Sequence, residues 1–184
     1  SDGPPRARAF PAGRPTHEPQ PLRMEPRALV TGGAGFIGSH LVRRLVDQGH
    51  DVRVVDSLVT GFRQNLDEVE DRIQFIEGDI SDRRVCADAV AGIEIVYHVA
   101  ALPSVPLSMV DPIGTHKTNV DWTLYLLEAG RKAGVRRFVY SSSSSVYGDT
   151  VVLPKTENAE PLPRSPYAAA KLAGELYTLA YARA

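Results

Sequence analysis

The chain has 184 residues, 43% of them hydrophobic, enough to bury one substantial core and about one domain. Its 21 basic and 22 acidic residues leave a net charge of -1, so no broad positive field is offered to nucleic acid or to an anionic membrane, and a charged ligand has to be met locally. The single cysteine, Cys86, excludes an internal disulfide and a cysteine-based zinc site and is expected to serve helix packing; no metal site is expected. With no apolar run near the roughly 18 residues that span a bilayer and no apolar signal-peptide core, a cytoplasmic protein is expected.

Residues 1–26 hold 7 of the 14 prolines, with Arg6, Arg8, Arg14 and Arg23 scattered among them and no apolar period. Such a stretch cannot offset its ordering entropy by burial. Residues 1–23 are therefore expected to form a tail or tag that does not pack on the fold, with Met24 as a candidate start, and residues 24–184 to form the domain.

Regular patterning begins after Arg27. Ala28, Leu29 and Val30 read as a short buried strand. The glycine turn 31–38 follows, and Ile37, Leu41, Leu45 and Val46 mark one face of a helix that Gly49 ends. A second strand over 52–55 closes on Asp56, completing a βαβ unit. Further strands are expected at 73–76, 93–98 and 137–140, with helices near 83–91 and 115–133 between them. Ser165-Pro166, a cap followed by proline at the first helical position, opens a last helix. The alternation predicts an α/β fold: a Rossmann-type doubly wound parallel sheet in the order 3-2-1-4-5, incomplete at its C-terminal side.

In the turn, Gly32, Gly33, Gly35 and Gly38 permit tight bending and close backbone approach to a pyrophosphate, and the helix N-terminus beyond adds amide donors. The bland alternative is a tight turn without a ligand. Asp56, at the end of the second strand, can accept the hydroxyls of an adenosine ribose and would repel a 2′-phosphate, which favours NAD over NADP; an Asp there is otherwise a turn former, and Arg63 nearby could serve a phosphate. Asp79-Ile80 and His98-Val99-Ala100-Ala101 follow two later strands at the ends where open α/β sheets bind ligands. Asp79 also reads as a turn residue, and His98 as a packed strand-end residue with no chemical role.

The strongest chemical signal is Tyr167-Ala168-Ala169-Ala170-Lys171, whose spacing puts a phenol and an ammonium on one helix face. An ammonium beside a phenol stabilises the phenolate and suits it to acid/base work. The run from Ser141 to Ser145, directly after a strand, places hydroxyls at another strand end and reads either as a polar loop or as the hydroxyl partner of Tyr167.

Together these motifs, TGGAGFIG at 31–38, GDI at 78–80, HVAA at 98–101, SSSSSVYG at 141–148 and SPYAAAK at 165–171, make the chain from about Arg27 onward resemble the extended short-chain dehydrogenase/reductases. Within them it is similar to the NAD-dependent epimerase/dehydratase family, of the UDP-glucose 4-epimerase type. The resemblance implies that Tyr167 is the acid/base, that Lys171 positions the nicotinamide ribose and tunes Tyr167, and that Ser143 bonds the reacting sugar hydroxyl. It implies a cofactor wall of Gly32, Gly35, Phe36, Ile37, Gly38, Asp56, Ser57, Thr60, Gly61, Asp79, Ile80, Val99, Ala100, Ala101 and Asn119, with Tyr167 and Lys171. It further implies a UDP-linked sugar substrate, a homodimer paired through helices carrying Leu124, Leu126, Leu127, Leu172, Leu176 and Leu179, and a substrate-binding portion beyond this chain.

Two points qualify the match. Where relatives continue from the asparagine through Val-x-Gly-Thr, this chain has Asn119-Val120-Asp121-Trp122-Thr123, an indole in place of a glycine. Sugar 4,6-dehydratases need a carboxylate pair just before the Val-Tyr-Gly, and here those positions are Ser144 and Ser145, so epimerisation through a transient 4-keto sugar is preferred. A reductase or dehydratase, a steroid-like dehydrogenase and a non-catalytic NAD-binding regulator are the alternatives.

Overall fold

The computed structural model describes residues 25–150 and 153–183; the expected tail lies outside them. Five strands, β1 (Glu25–Thr31), β2 (His50–Asp56), β3 (Ile73–Glu77), β4 (Ile95–His98) and β5 (Arg137–Tyr140), form one sheet in the order β3-β2-β1-β4-β5. All four pairings are parallel, as the βα alternation predicts.

Alternation along β1 divides the core in two. Ala28 and Val30 join Val52, Val54 and Val42 in a cluster beneath helix α1 (Phe36–Asp47) and a 3-10 helix, Arg63–Arg72. Leu29 faces the other way, into a cluster with Val55, Cys86, Val96 and Leu126 beneath α2 (Arg83–Val90) and α5 (Trp122–Ala133). Cys86 is fully buried there, and burial pushes its thiol up to about 12, consistent with packing and with no reactive role. Arg53, a charged residue within buried β2, donates to the Asp88, Ala89 and Ala91 carbonyls at 3.1, 2.8 and 2.8 Å and so satisfies the C-terminal end of α2.

The crossover from β4 to β5 departs from the single helix expected over 115–133. Two short helices precede it, α3 (Val105–Val110) and α4 (Pro112–His116). Ser104 caps the first through the Leu107 amide at 3.1 Å, and Asp111 caps the second through the Gly114 amide at 2.9 Å. A π-helical segment, Lys117–Asp121, then leads into α5, which ends at Gly134 in the left-handed conformation with φ 76°. The last helix, α6 (Pro166–Arg183), opens with the Ser165 hydroxyl accepting the Ala168 amide at 3.1 Å, as the Ser-Pro signal predicts.

Among the described residues, no helix is long and apolar enough to cross a membrane, and no group of three or more His, Cys, Asp or Glu residues could hold a metal ion.

Candidate active site

The strand order reverses its direction of growth between β1 and β4, and there a cavity of about 530 Å³ runs along the strands' carboxyl ends. Open α/β sheets bind ligands at such a point. The glycine turn forms one wall. Gly32 has φ +69°, and a Cβ on it would stand 2.8 Å from the Ala100 backbone. A Cβ on Gly38 would collide with the Gly32 carbonyl, so only glycine lets α1 start this close to the turn. Gly35 occupies the N-cap with no side chain capping the helix, and Gly35, Phe36, Ile37 and Gly38 line the cavity. This is a dipole end and a set of amides suited to a pyrophosphate.

Asp56 is 8% exposed, and its carboxylate does two local jobs. One oxygen accepts the Ala34 amide at 2.9 Å, bracing the glycine turn; the other accepts the Leu58 amide at 2.8 Å. The turn-former reading of Asp56 is therefore correct as far as it goes. Each ionised oxygen still has acceptor capacity for a ribose hydroxyl. Ser57, Thr60 and Gly61 continue this end of the wall. Arg63 is drawn away from a phosphate role: it pairs with Glu70 at 2.8 Å and lies 3.9 Å over the Phe75 ring. Asp79 accepts the Ser81 amide at 2.8 Å, a turn contact, and lines the cavity beside Ile80.

Val99, Ala100 and Ala101 form the wall after β4. Two buried residues hold that wall from behind. Asn119 accepts the Leu102 amide at 3.2 Å, so this residue, expected beside the cofactor, braces the loop rather than lining the cavity. His98 bridges the Thr31 hydroxyl at 2.7 Å from Nδ1 and the Thr123 hydroxyl at 2.9 Å from Nε2. Because the Thr123 hydroxyl donates to the Asn119 carbonyl, it accepts from Nε2–H, which assigns a proton to Nε2. Burial, with the Lys171 charge adding, pushes His98 down to about 3, which keeps it neutral and fits the packing role read from sequence.

Tyr167 and Lys171 share one face of α6 and both line the cavity, at 8% and 3% exposure. Lys171 Nζ donates to the Ser141 carbonyl at 2.9 Å and sits 4.8 Å from the Tyr140 ring centroid; burial lowers its ammonium to about 8. The Ser142 hydroxyl donates to Glu175, one helical turn beyond Lys171. Consecutive residues of the serine run are thus tied to consecutive turns of α6. Ser141 and Ser142 line the cavity, whereas Ser143, the serine expected to face substrate, is turned to Ser145: their hydroxyls lie 2.7 Å apart, and Ser143 caps a 3-10 helix, Ser144–Tyr147. Sequence reasoning missed Glu175, which the same four-residue step beyond Lys171 could have flagged, and Thr118, which lines the cavity from the π-helical segment and for which the sequence carries no signal.

This donor set fits a dinucleotide: an uncapped helix start for the pyrophosphate, a buried carboxylate for a ribose, and a phenol and ammonium at the far end. A phenol poised beside an ammonium can move a proton to or from a hydroxyl. Comparison with known proteins agrees. The model of the family "NAD dependent epimerase/dehydratase family" matches residues 28–184. UDP-glucose 4-epimerase of Mycolicibacterium smegmatis is 44% identical over 163 residues, which cover 84% of this chain and 51% of that protein. Among solved structures, a Thermus thermophilus UDP-glucose 4-epimerase in complex with NAD superposes with a TM-score of 0.79 at 40% identity, covering 85% of this chain and 51% of that one. A dTDP-glucose 4,6-dehydratase of Streptomyces venezuelae with NAD bound gives 0.80 at 40% identity, covering 85% and 52%. The chain therefore spans about half the length of the relatives it matches. From the uncapped glycine turn to the Tyr167–Lys171 helix face, fold, site and similarity converge, and the chain belongs to the NAD-dependent epimerase/dehydratase family.

Proposed function

We propose that this chain is the cofactor-binding part of an NAD-dependent epimerase that inverts C4 of a UDP-linked hexose, acting in the cytoplasm as a homodimer. The observation that carries the reading is that Tyr167 and Lys171, on one face of α6, line the same cavity as the glycine turn and Asp56. Bound NAD would supply a reversible hydride acceptor, so that the dinucleotide is regenerated in each turnover and need not leave. Tyr167 takes the C4 hydroxyl proton as the sugar becomes a 4-keto species and returns it after the sugar has turned over. Lys171 holds the nicotinamide ribose from the same helix face as Tyr167. Ser143 is assigned the sugar hydroxyl, its Oγ lying 2.7 Å from Ser145 Oγ. Asp56 takes the adenosine ribose.

The similarity to a dehydratase supports a second reading, elimination of water from the sugar. Ser144 and Ser145 stand where that chemistry needs carboxylates, and this favours epimerisation. The deciding experiment is to purify the full-length protein, record whether it retains NAD, and assay UDP-glucose for conversion to UDP-galactose or to a dehydrated 4-keto product. Retained cofactor with UDP-galactose formation bears out the proposal. Release of reduced cofactor points to a dehydrogenase, consumption of added reduced cofactor to a reductase, and a dehydrated product to elimination.

A further inference from the structure

Trp122, the one tryptophan of the chain, is the first residue of α5 and follows directly on the π-helical segment that carries Asn119. Its indole is half-buried. One part packs on the core cluster that includes Ile80 and Cys86, and the remainder lines the cavity. Trp122 packs on the core cluster that holds Val55 and Ile80, the chain neighbours of Asp56 and Asp79 in the cavity wall, and so lies toward their side of the cavity. Tyr167 and Lys171 belong to the opposite, β5 half. Asn119, three residues earlier, holds the Leu102 amide at 3.2 Å, and the indole itself is packed against the core cluster on one side. A large, rigid aromatic surface left partly uncovered on a cavity wall is most stabilised by a flat apolar group laid against it.

We propose that Trp122 is the base wall of the cofactor slot: its indole contacts the adenine of the bound dinucleotide and supplies much of the affinity of the adenosine half. The assignment rests on the NAD reading above, and it concerns a position where this chain carries an indole in place of the glycine of the family pattern. Contact between an aromatic side chain and a base is worth about 1–3 kcal/mol when removed, or roughly 5- to 150-fold in affinity.

The test uses the full-length protein and calorimetric titration with NAD, ADP-ribose and nicotinamide mononucleotide, the last lacking the adenine. Trp122→Leu, which keeps apolar bulk without the aromatic face, should weaken NAD and ADP-ribose about tenfold and leave the mononucleotide unchanged. Trp122→Phe should recover most of the loss, and ADP-ribose should quench the fluorescence that Trp122→Phe removes. Trp122→Gly guards against the opposite role, since tighter ADP-ribose binding by a normally folded glycine variant would mean that the indole obstructs the slot and would overturn the proposal. Unchanged ADP-ribose affinity in the leucine variant, or equal losses for all three ligands, would overturn it too. Failure of the unmodified protein to bind NAD or ADP-ribose would overturn the NAD reading along with it, whereas tight binding indifferent to Trp122 would overturn this inference alone.

Discussion

At Asp56 a single carboxylate braces the glycine turn through Ala34, closes its own turn through Leu58 and is left with acceptor capacity for a ribose. Removing the side chain would therefore confound charge with support. Asp56→Asn keeps an acceptor for one amide while removing the charge that would repel a 2′-phosphate. It should narrow the preference for NAD over NADP by about tenfold or more, measured by calorimetry on both dinucleotides; equal binding of the two by the unmodified protein would refute the assigned role. His98 makes a different kind of prediction. Its folded value, about 3, lies below its ordinary 6.5, so the unfolded state binds the proton first. Stability should fall as pH drops below about 6.5, by up to roughly 1.4 kcal/mol per unit, until the folded value near 3 is reached. His98→Gln should flatten that limb of urea unfolding followed against pH, at the cost of a lower plateau because Thr31 and Thr123 lose part of their bridge. Lys171 behaves in the opposite range: held near 8 against an ordinary 10.5, its buried charge costs stability at neutral pH and that cost is relieved as pH rises between those values.

Helices and strands set by local pattern were legible in the sequence, and elements set by long-range contact were not. The βαβ unit and the start of α6 follow from apolar period, glycine turn and a Ser-Pro cap, all contained within a few residues. The crossover between β4 and β5 is punctuated by Pro106, two residues after its cap Ser104, and Pro112, directly after its cap Asp111, and those signals could have revealed α3 and α4. The π-helical segment has no such signature. Within it, Asn119 holds the Leu102 amide, 17 residues away. Most of the cavity wall was legible because its residues sit in short motifs, whereas the seat of the serine run depends on Lys171 and Glu175 reaching Ser141 and Ser142. Glu175 is thus expected to position the serine run against α6. Glu175→Ala should lower turnover of the full-length enzyme about tenfold, with little change in NAD affinity, whereas Glu175→Gln should restore most of it by keeping the acceptor. A parallel loss of cofactor would show instead that Glu175 only supports the fold.

At the scale of the whole molecule, the apolar surface argues about partners. Not every leucine assigned to a dimer interface serves there: Leu126 and Leu127 are buried in the chain's own core at 0% and 4% exposure, because α5 packs both on the sheet and against α2. Leu176 and Leu179 on α6 remain exposed at 60% and 53%, beside the half-exposed Tyr177. Their helix presents Tyr167 and Lys171 to the cavity on one side and these residues to solvent on the other, so a partner covering them would also stiffen the helix that lines the cavity. Val139, on edge strand β5, is exposed as well, and belongs to a different contact surface, that of a sheet edge. The two surfaces can be separated by experiment. Substituting Leu176 and Leu179 together with glutamate in the full-length protein puts two like charges into an apolar contact while leaving β5 untouched. The variant should pass from a dimeric to a monomeric mass in light scattering at micromolar concentration and should keep its NAD affinity, since neither residue lines the cavity. Turnover should fall less than in Tyr167→Phe, for which roughly 10²- to 10⁴-fold is expected with cofactor binding intact. A monomeric mass for the unmodified protein, or a dimer that survives both glutamates, would remove α6 from the interface and leave its exposed leucines to another part of the chain.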